Sequence, residues 1–145
     1  MDLRTAPAFS ALLADCYRRF IGLSLLPDTI LPAEAPHWFY EAPFCLVAHN
    51  REPDPRFIYA NRAAQERFEY SWDEFLTLPS RLSAEPINRA ERQRLLDAVA
   101  SDGAITDYAG VRISKSGRRF RIEQAAVWQL VENDGDVIGQ AAMFI

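Results

Sequence analysis

Side chains able to do chemistry are few in this chain, and none is spaced as a catalytic or metal-binding group. His37 and His49 are the two histidines, separated by a proline-rich segment, with no third group at metal-ligand spacing. None of the eight serines, Ser10, Ser24, Ser71, Ser80, Ser83, Ser101, Ser114 and Ser116, lies in a Gly-x-Ser-x-Gly elbow. Gly117 and Gly135 fall in hairpin turns, so no glycine loop is available to cradle phosphate. Glu85 and Glu91 flank a proline-containing turn without the apolar setting that raises a carboxylate pKa. A protein that is not an enzyme is therefore expected.

Two other groups of polar residues call for a role. Arg112, Lys115, Arg118, Arg119 and Arg121 gather positive charge at one end of a predicted hairpin. A charged edge that deters strand-to-strand aggregation accounts for them. A docking patch for an acidic partner or a polynucleotide is the alternative, but only Phe120 is interleaved as an aromatic platform, and alternation turns it inward. The second group is a pair of amides on apolar strand faces. Alternation places Gln124 with Phe120, Ile122 and Trp128, and Gln140 with Ile138, Ala142 and Phe144. Such amides either satisfy each other and the backbone or face a ligand.

The elements that must position these residues follow from pattern. Phe9, Leu12, Leu13, Cys16, Tyr17, Phe20 and Ile21 predict an amphipathic helix over 8–26, stopped by Pro27. This stripe packs either on a sheet face of its own domain or against a second copy, and its width sets the expectation of a homodimer. A proline-punctuated connector then runs to Pro43, so residues 1–43 are helix and connector, and 44–145 the body of one structural unit. Strands are predicted over 44–49 and 56–60. Asn61 caps a helix that ends near Tyr70, and Ser71 with Glu74 forms the capping box of the next. A helix from Asn88 or Arg89 to about Ala100 buries Leu95, Leu96 and Val99. Its arginines Arg89, Arg92 and Arg94 read as a solvated face. Strands over 108–114, 118–131 and 137–145 complete an α+β layer, with the N-terminal helix covering the Ala125 and Val127 side of the second.

Composition bounds the rest. The chain has 145 residues, 49% hydrophobic and 25% charged, which suits one globular domain. A net charge of −4 argues against gripping nucleic acid or anionic lipid. No apolar run reaches the roughly 20 residues that span a bilayer, and no signal peptide is evident. Cys16 and Cys45 read as buried thiols in a reducing compartment, so a cytoplasmic protein is expected.

The run Phe57–Glu85, FIYANRAAQERFEYSWDEFLTLPSRLSAE, carries a resemblance. Its strand, Asn-opened helix and Tyr-Ser-opened helix are similar to the signature of PAS domains. Leu78–Pro86 and Val111–Glu123 resemble the narrower MEKHLA family of PAS-related domains. Where many PAS domains have Gly before the Tyr, this chain has Glu69, which costs about 1 kcal/mol more in a left-handed conformation. The helix is therefore expected to end differently.

The resemblance implies a PAS-like antiparallel sheet with short helices on one face, acting as a sensory or regulatory module. A pure dimerisation domain with a filled core, or a small enzyme with an apolar pocket, are the rivals. It further implies a small-molecule pocket lined by Tyr59, Gln124, Trp128 and Gln140 and rimmed by Tyr70, Ser80 and Arg81, with Arg81 free to neutralise a carboxylate. A pair with Glu85, four residues on, is the competing use of Arg81. Ser80 falls where the flavin-reactive Cys of light-sensing LOV domains sits, so flavin photochemistry is not expected. No particular cofactor or ligand is implied.

Overall fold

In the computed structural model, which describes Met1–Ile145, strands β1 (Cys45–Asn50), β2 (Phe57–Ala60), β3 (Ala104–Ile113), β4 (Arg119–Val131) and β5 (Val137–Phe144) make one antiparallel sheet. Their order is β2-β1-β5-β4-β3. The helices are α1 (Pro7–Ile21), α2 (Ala35–Tyr40), α3 (Arg62–Phe68), α4 (Trp72–Leu76) and α5 (Pro86–Asp102), with a 3₁₀ turn at Ser80–Ser83. This is the α+β layer that the strand and helix patterns predict, with the antiparallel sheet that the resemblance implies.

Each face of the sheet has its own core. On one face α1 lays Phe9, Leu13, Cys16 and Tyr17 against Leu46, Ala48, Ala126, Trp128 and Leu130. On the other, α3, α4 and α5 contribute Ala64, Phe68, Phe75, Leu95 and Val99, which meet Val47, Ile122, Ala125, Val127 and Phe144. The N-terminal helix thus covers the Trp128 side of β4 and not the Ala125 and Val127 side. The reason is a bulge. Tyr108 pairs with Ala125 and Gly110 with Ile122, so two residues of β4 stand opposite one of β3. Gln124 takes φ 51° there, and the alternation changes face as it passes through.

Asn61 locks the sheet to the short helices. Its Oδ1 accepts from Ala64 N–H at 3.1 Å, as a helix cap should, and from Leu46 N–H at 3.0 Å. Its Nδ2 donates to Phe39 O and Phe44 O. A fully buried amide with every partner supplied fixes α2, β1 and α3 together, since losing any one bond strands a polar group. Ser71 and Glu74 form the capping box of α4.

Helix ends depart from the sequence reading at three places. α1 stops at Ile21 because Gly22 adopts φ 85° and donates its N–H to Arg18 O, six residues before Pro27. The connector contains α2, opened by Ala35-Pro36, since proline in the first turn gives up a donor the helix does not need. For the same reason α5 begins at Pro86 instead of at Asn88 or Arg89.

Glu69 takes the left-handed conformation, φ 65°, that glycine would occupy, so α3 ends as in a Gly-bearing chain. Its carboxylate accepts from Ser116 N–H at 3.0 Å and lies 3.8 Å from Arg118, which offsets the backbone cost. The basic hairpin is accordingly a clamp. Lys115 pairs with Glu74, Arg118 with Glu69 and Arg119 with Glu85, tying the β3–β4 hairpin to α4, the end of α3 and the start of α5. Each pair is at the surface, where water and salt screen the attraction. No helix is long and apolar enough to cross a membrane.

Candidate functional site

Between the sheet and α5 lies a cavity of about 60 Å³, walled largely by Phe57, Phe68, Leu95, Ile122, Val127 and Phe144. That volume accommodates a few waters or the equivalent in ligand atoms. Its polar groups come from β1, β5, α5, β3 and the 3₁₀ turn.

β1 and β5 supply His49 and Gln140, which are cross-strand partners. The His49 Nδ1 lies 2.8 Å from Asn50 O, a group that only accepts, so Nδ1 carries the proton. Nε2 is then a bare acceptor, fully enclosed with no protein partner. Gln140 is oriented in the same manner: its Nε2 donates to Leu96 O at 3.1 Å, leaving Oε1 enclosed and unpaired. Burial lowers the His49 pKa to about 4, and the positive charge of Arg92 adds to the effect against the Asn50 hydrogen bond. The imidazole is neutral at physiological pH.

α5 supplies Arg92, which is buried although its neighbours Gln93 and Arg94 are exposed. The solvated face expected for this helix fails at that one position. Its guanidinium donates to the Oγ of Ser80, itself buried in the 3₁₀ turn. Burial, then the like charge of Arg112, lowers the Arg92 pKa to about 10. β3 supplies Tyr108 and Arg112, both buried and on the same strand face. Arg112 donates to Tyr108 Oη at 3.1 Å and to Val111 O at 3.0 Å, and the tyrosine hydroxyl donates a hydrogen bond to Glu91 Oε2 at 3.0 Å. Gly110 between them makes this possible, because a Cβ there would lie 2.5 Å from the Tyr108 hydroxyl.

The residues predicted for a pocket are divided by this geometry. Ser80 and Gln140 line the cavity. Tyr59 and Trp128 belong to the opposite face, where Tyr59 packs on Phe9 and Trp128 on Tyr17. Gln124 is exposed at the bulge. Tyr70 is half-buried against Phe75, outside the cavity wall. Arg81 is exposed and pairs with Asp54 at 3.1 Å, so neither the cavity nor Glu85 receives it. The 3₁₀ turn causes this, since it buries Ser80 and Ser83 and turns Arg81 outward. His49, Arg92, Tyr108 and Arg112 are the cavity residues that sequence reasoning missed. The available signal was the alternation Tyr108-x-Gly110-x-Arg112, which puts a cation on an apolar strand face.

No side-chain group of three His, Cys, Asp or Glu stands close enough together to hold a metal ion. His49 has no serine partner, and the Ser80 hydroxyl faces a cation instead of a base. The site offers donors, acceptors and apolar walls without an activated nucleophile.

Known structures share this architecture. A PAS domain of a protein from Colwellia psychrerythraea is similar with TM-score 0.67 and 15% identity, over 75% of this chain and 90% of that one. A PAS domain from a two-component sensor histidine kinase gives TM-score 0.60 and 18% identity, over 74% and 87%. An RNA-binding light-oxygen-voltage receptor gives 0.65 and 21%, over 83% of this chain and 34% of the receptor. At such identities the likeness is one of fold. No curated protein matches the chain significantly. The profile of the MEKHLA domain family matches residues 7–145, from the first turn of α1 to the last residue after β5. The chain belongs to the MEKHLA domain family.

Proposed function

We propose that this PAS-like domain is a non-catalytic sensory or regulatory module that takes a small molecule into the cavity under α5 and signals by repacking the helices around it. The observation that carries this reading is the pair of enclosed acceptors, His49 Nε2 and Gln140 Oε1, which face one cavity without a protein donor. Unpaired buried acceptors cost about 1–3 kcal/mol each, and a bound molecule that donates to them recovers that cost. The two acceptors lie on β1 and β5, and the leading helix-borne group, Arg92, lies on α5. Occupancy therefore couples sheet to helix, the kind of differential contact a conformational response requires.

A cavity supports sensing over a pure dimerisation domain with a filled core, and the lack of a nucleophile–base pair supports it over a small enzyme. A homodimer through α1 remains part of the proposal. Phe9, Leu13, Cys16 and Tyr17 are spent on the sheet, so such a dimer would use the half-buried Leu12, Phe20 and Ile21. Native mass spectrometry of protein purified from its own host tests the reading. The expected result is a native mass above the denatured mass by that of one small molecule per chain; identical masses count against it.

A further inference from the structure

Resting on the cavity reading above, we infer that the molecule held there is a small carboxylate with a hydroxyl or similar donor, its anionic end taken by Arg92 and Arg112 and its donor by His49 and Gln140.

Arg92 and Arg112 are 6% and 7% exposed, and both line the same cavity. None of the seven ion pairs in the chain includes either of them. The arginines that do form ion pairs are all at the surface, where pairing matters least. A buried cation normally keeps a carboxylate beside it, because desolvating the charge alone is expensive. Here Arg92 has one hydroxyl, Ser80 Oγ, and Arg112 has a carbonyl and a phenol oxygen. Glu91 reaches Arg112 only through the Tyr108 hydroxyl. The two cations also repel each other across the cavity. Each guanidinium has five N–H groups in a planar fork, so unused donors remain on both. The missing partner is an anion, and the planar fork suits a carboxylate.

The other polar groups limit what else the molecule carries. His49 and Gln140 present lone pairs, with both proton positions fixed by carbonyl oxygens at the far side of each side chain. A purely anionic ligand would leave those acceptors unsatisfied. A donor group on a short apolar skeleton satisfies them, and the phenylalanine, leucine and valine walls take the skeleton. About 60 Å³ restricts the skeleton to a few carbon atoms.

The simpler account of Arg92 is that it pins the 3₁₀ turn through Ser80. It explains one hydrogen bond and not the second buried cation, the space Gly110 leaves for it, or the bare acceptors.

Lactate, propionate and lactamide have the same skeleton size and remove one feature at a time. NMR titration of the full chain reads the dissociation constant of each. Lactate is expected to bind at least tenfold tighter than lactamide, with propionate between them. Arg92→Gln should lose tenfold or more for lactate and weaken lactamide far less, and Arg112→Gln should do the same if the first variant fails to fold. Equal binding of lactate and lactamide overturns the carboxylate assignment and leaves the cavity reading intact. So does lactate binding that neither substitution weakens. Binding of none of the three also overturns it. In that case a molecule still seen by native mass spectrometry preserves the cavity reading, and its absence ends both.

Discussion

On the α1 face of the sheet, Phe9 packs on Tyr59 at 5.3 Å and Tyr17 meets Trp128 edge-on at 4.9 Å. On the α5 face, the same sheet presents His49, Gln140 and Arg112 to a cavity. The first face also has unpaired polar atoms, Tyr59 Oη and Trp128 Nε1. Each costs about the same 1–3 kcal/mol as an unpaired acceptor, but it sits at the edge of a large ring whose roughly 150–250 Å² of burial outweighs it. The second face holds two whole cations and two unpaired acceptors, which packing does not repay. One sheet therefore separates a scaffold from the proposed site. Stability should be concentrated in the α1 face, and ligand dependence in the α5 face.

The largest expected effect tests the scaffold half. Trp128→Ala removes a fully buried side chain from the filled face and should cost about 3–5 kcal/mol in urea unfolding. Leu95→Ala, beside the existing cavity, should cost nearer 2 kcal/mol, because that wall already adjoins open space and packs less completely. Equal losses would erase the distinction between the faces.

The second prediction concerns acid. The His49 pKa in the fold, about 4, lies below its ordinary 6.5. A depressed histidine favours the neutral form in the fold. Its contribution is therefore fully present above pH 6.5 and is lost as pH falls toward 4. Between pH 7 and pH 5 the loss should be about 2 kcal/mol. His49→Gln should flatten that part of the pH profile of unfolding. A wild-type profile no steeper than that of the variant would mean His49 is not enclosed, and the polar face would lose one of its acceptors.

These two predictions use residues of very different legibility. The strand–helix run from Phe57 to Phe75 could be read almost to the residue, because Asn61, Ser71 and Glu74 declare caps through local chemistry. The face of β4 could not. A bulge at Gln124 depends on how β3 pairs, which alternation within one strand does not encode, and it exchanged the Trp128 and Val127 sides. Gln140 reached the cavity because β5 has no such bulge across Gln140–Phe144, the stretch that pairs regularly with β1. Arg92 was illegible for another reason. A long helix with mixed charges looks solvated all round, and only the 3₁₀ turn folded over it makes one of its arginines interior.

A third, smaller effect separates site from scaffold within that helix. Arg92→Met removes a buried charge that has no carboxylate and keeps most of the side-chain volume. Unfolding free energy of the ligand-free protein should change by no more than about 1 kcal/mol in either direction, or rise, as when buried charges give way to apolar groups. Loss of more than that amount would make Arg92 a structural pin for Ser80 and would weaken the contrast between the faces.

The smallest effect belongs to Arg81, one residue from Ser80 along the chain yet outside the cavity. Its guanidinium donates to Asp54 Oδ1 at 3.1 Å, with both side chains about half exposed, at 47% and 53%. Holding two long or mobile side chains in one arrangement consumes much of what the pair gains in water, so it contributes at most a few tenths of a kcal/mol. Arg81→Ala should therefore shift unfolding by less than about 0.5 kcal/mol. It should also leave lactate affinity within twofold, because a solvated guanidinium already engaged by Asp54 exerts little field inside the cavity at physiological salt. The comparison with Arg92→Gln is the informative one, since the two arginines lie on either side of Ser80, one enclosed and one in solvent. If Arg81→Ala weakens lactate as strongly as Arg92→Gln does, the 3₁₀ turn must rearrange to bring Arg81 inward when the anion binds, and the boundary between surface and site would have to be redrawn through that turn.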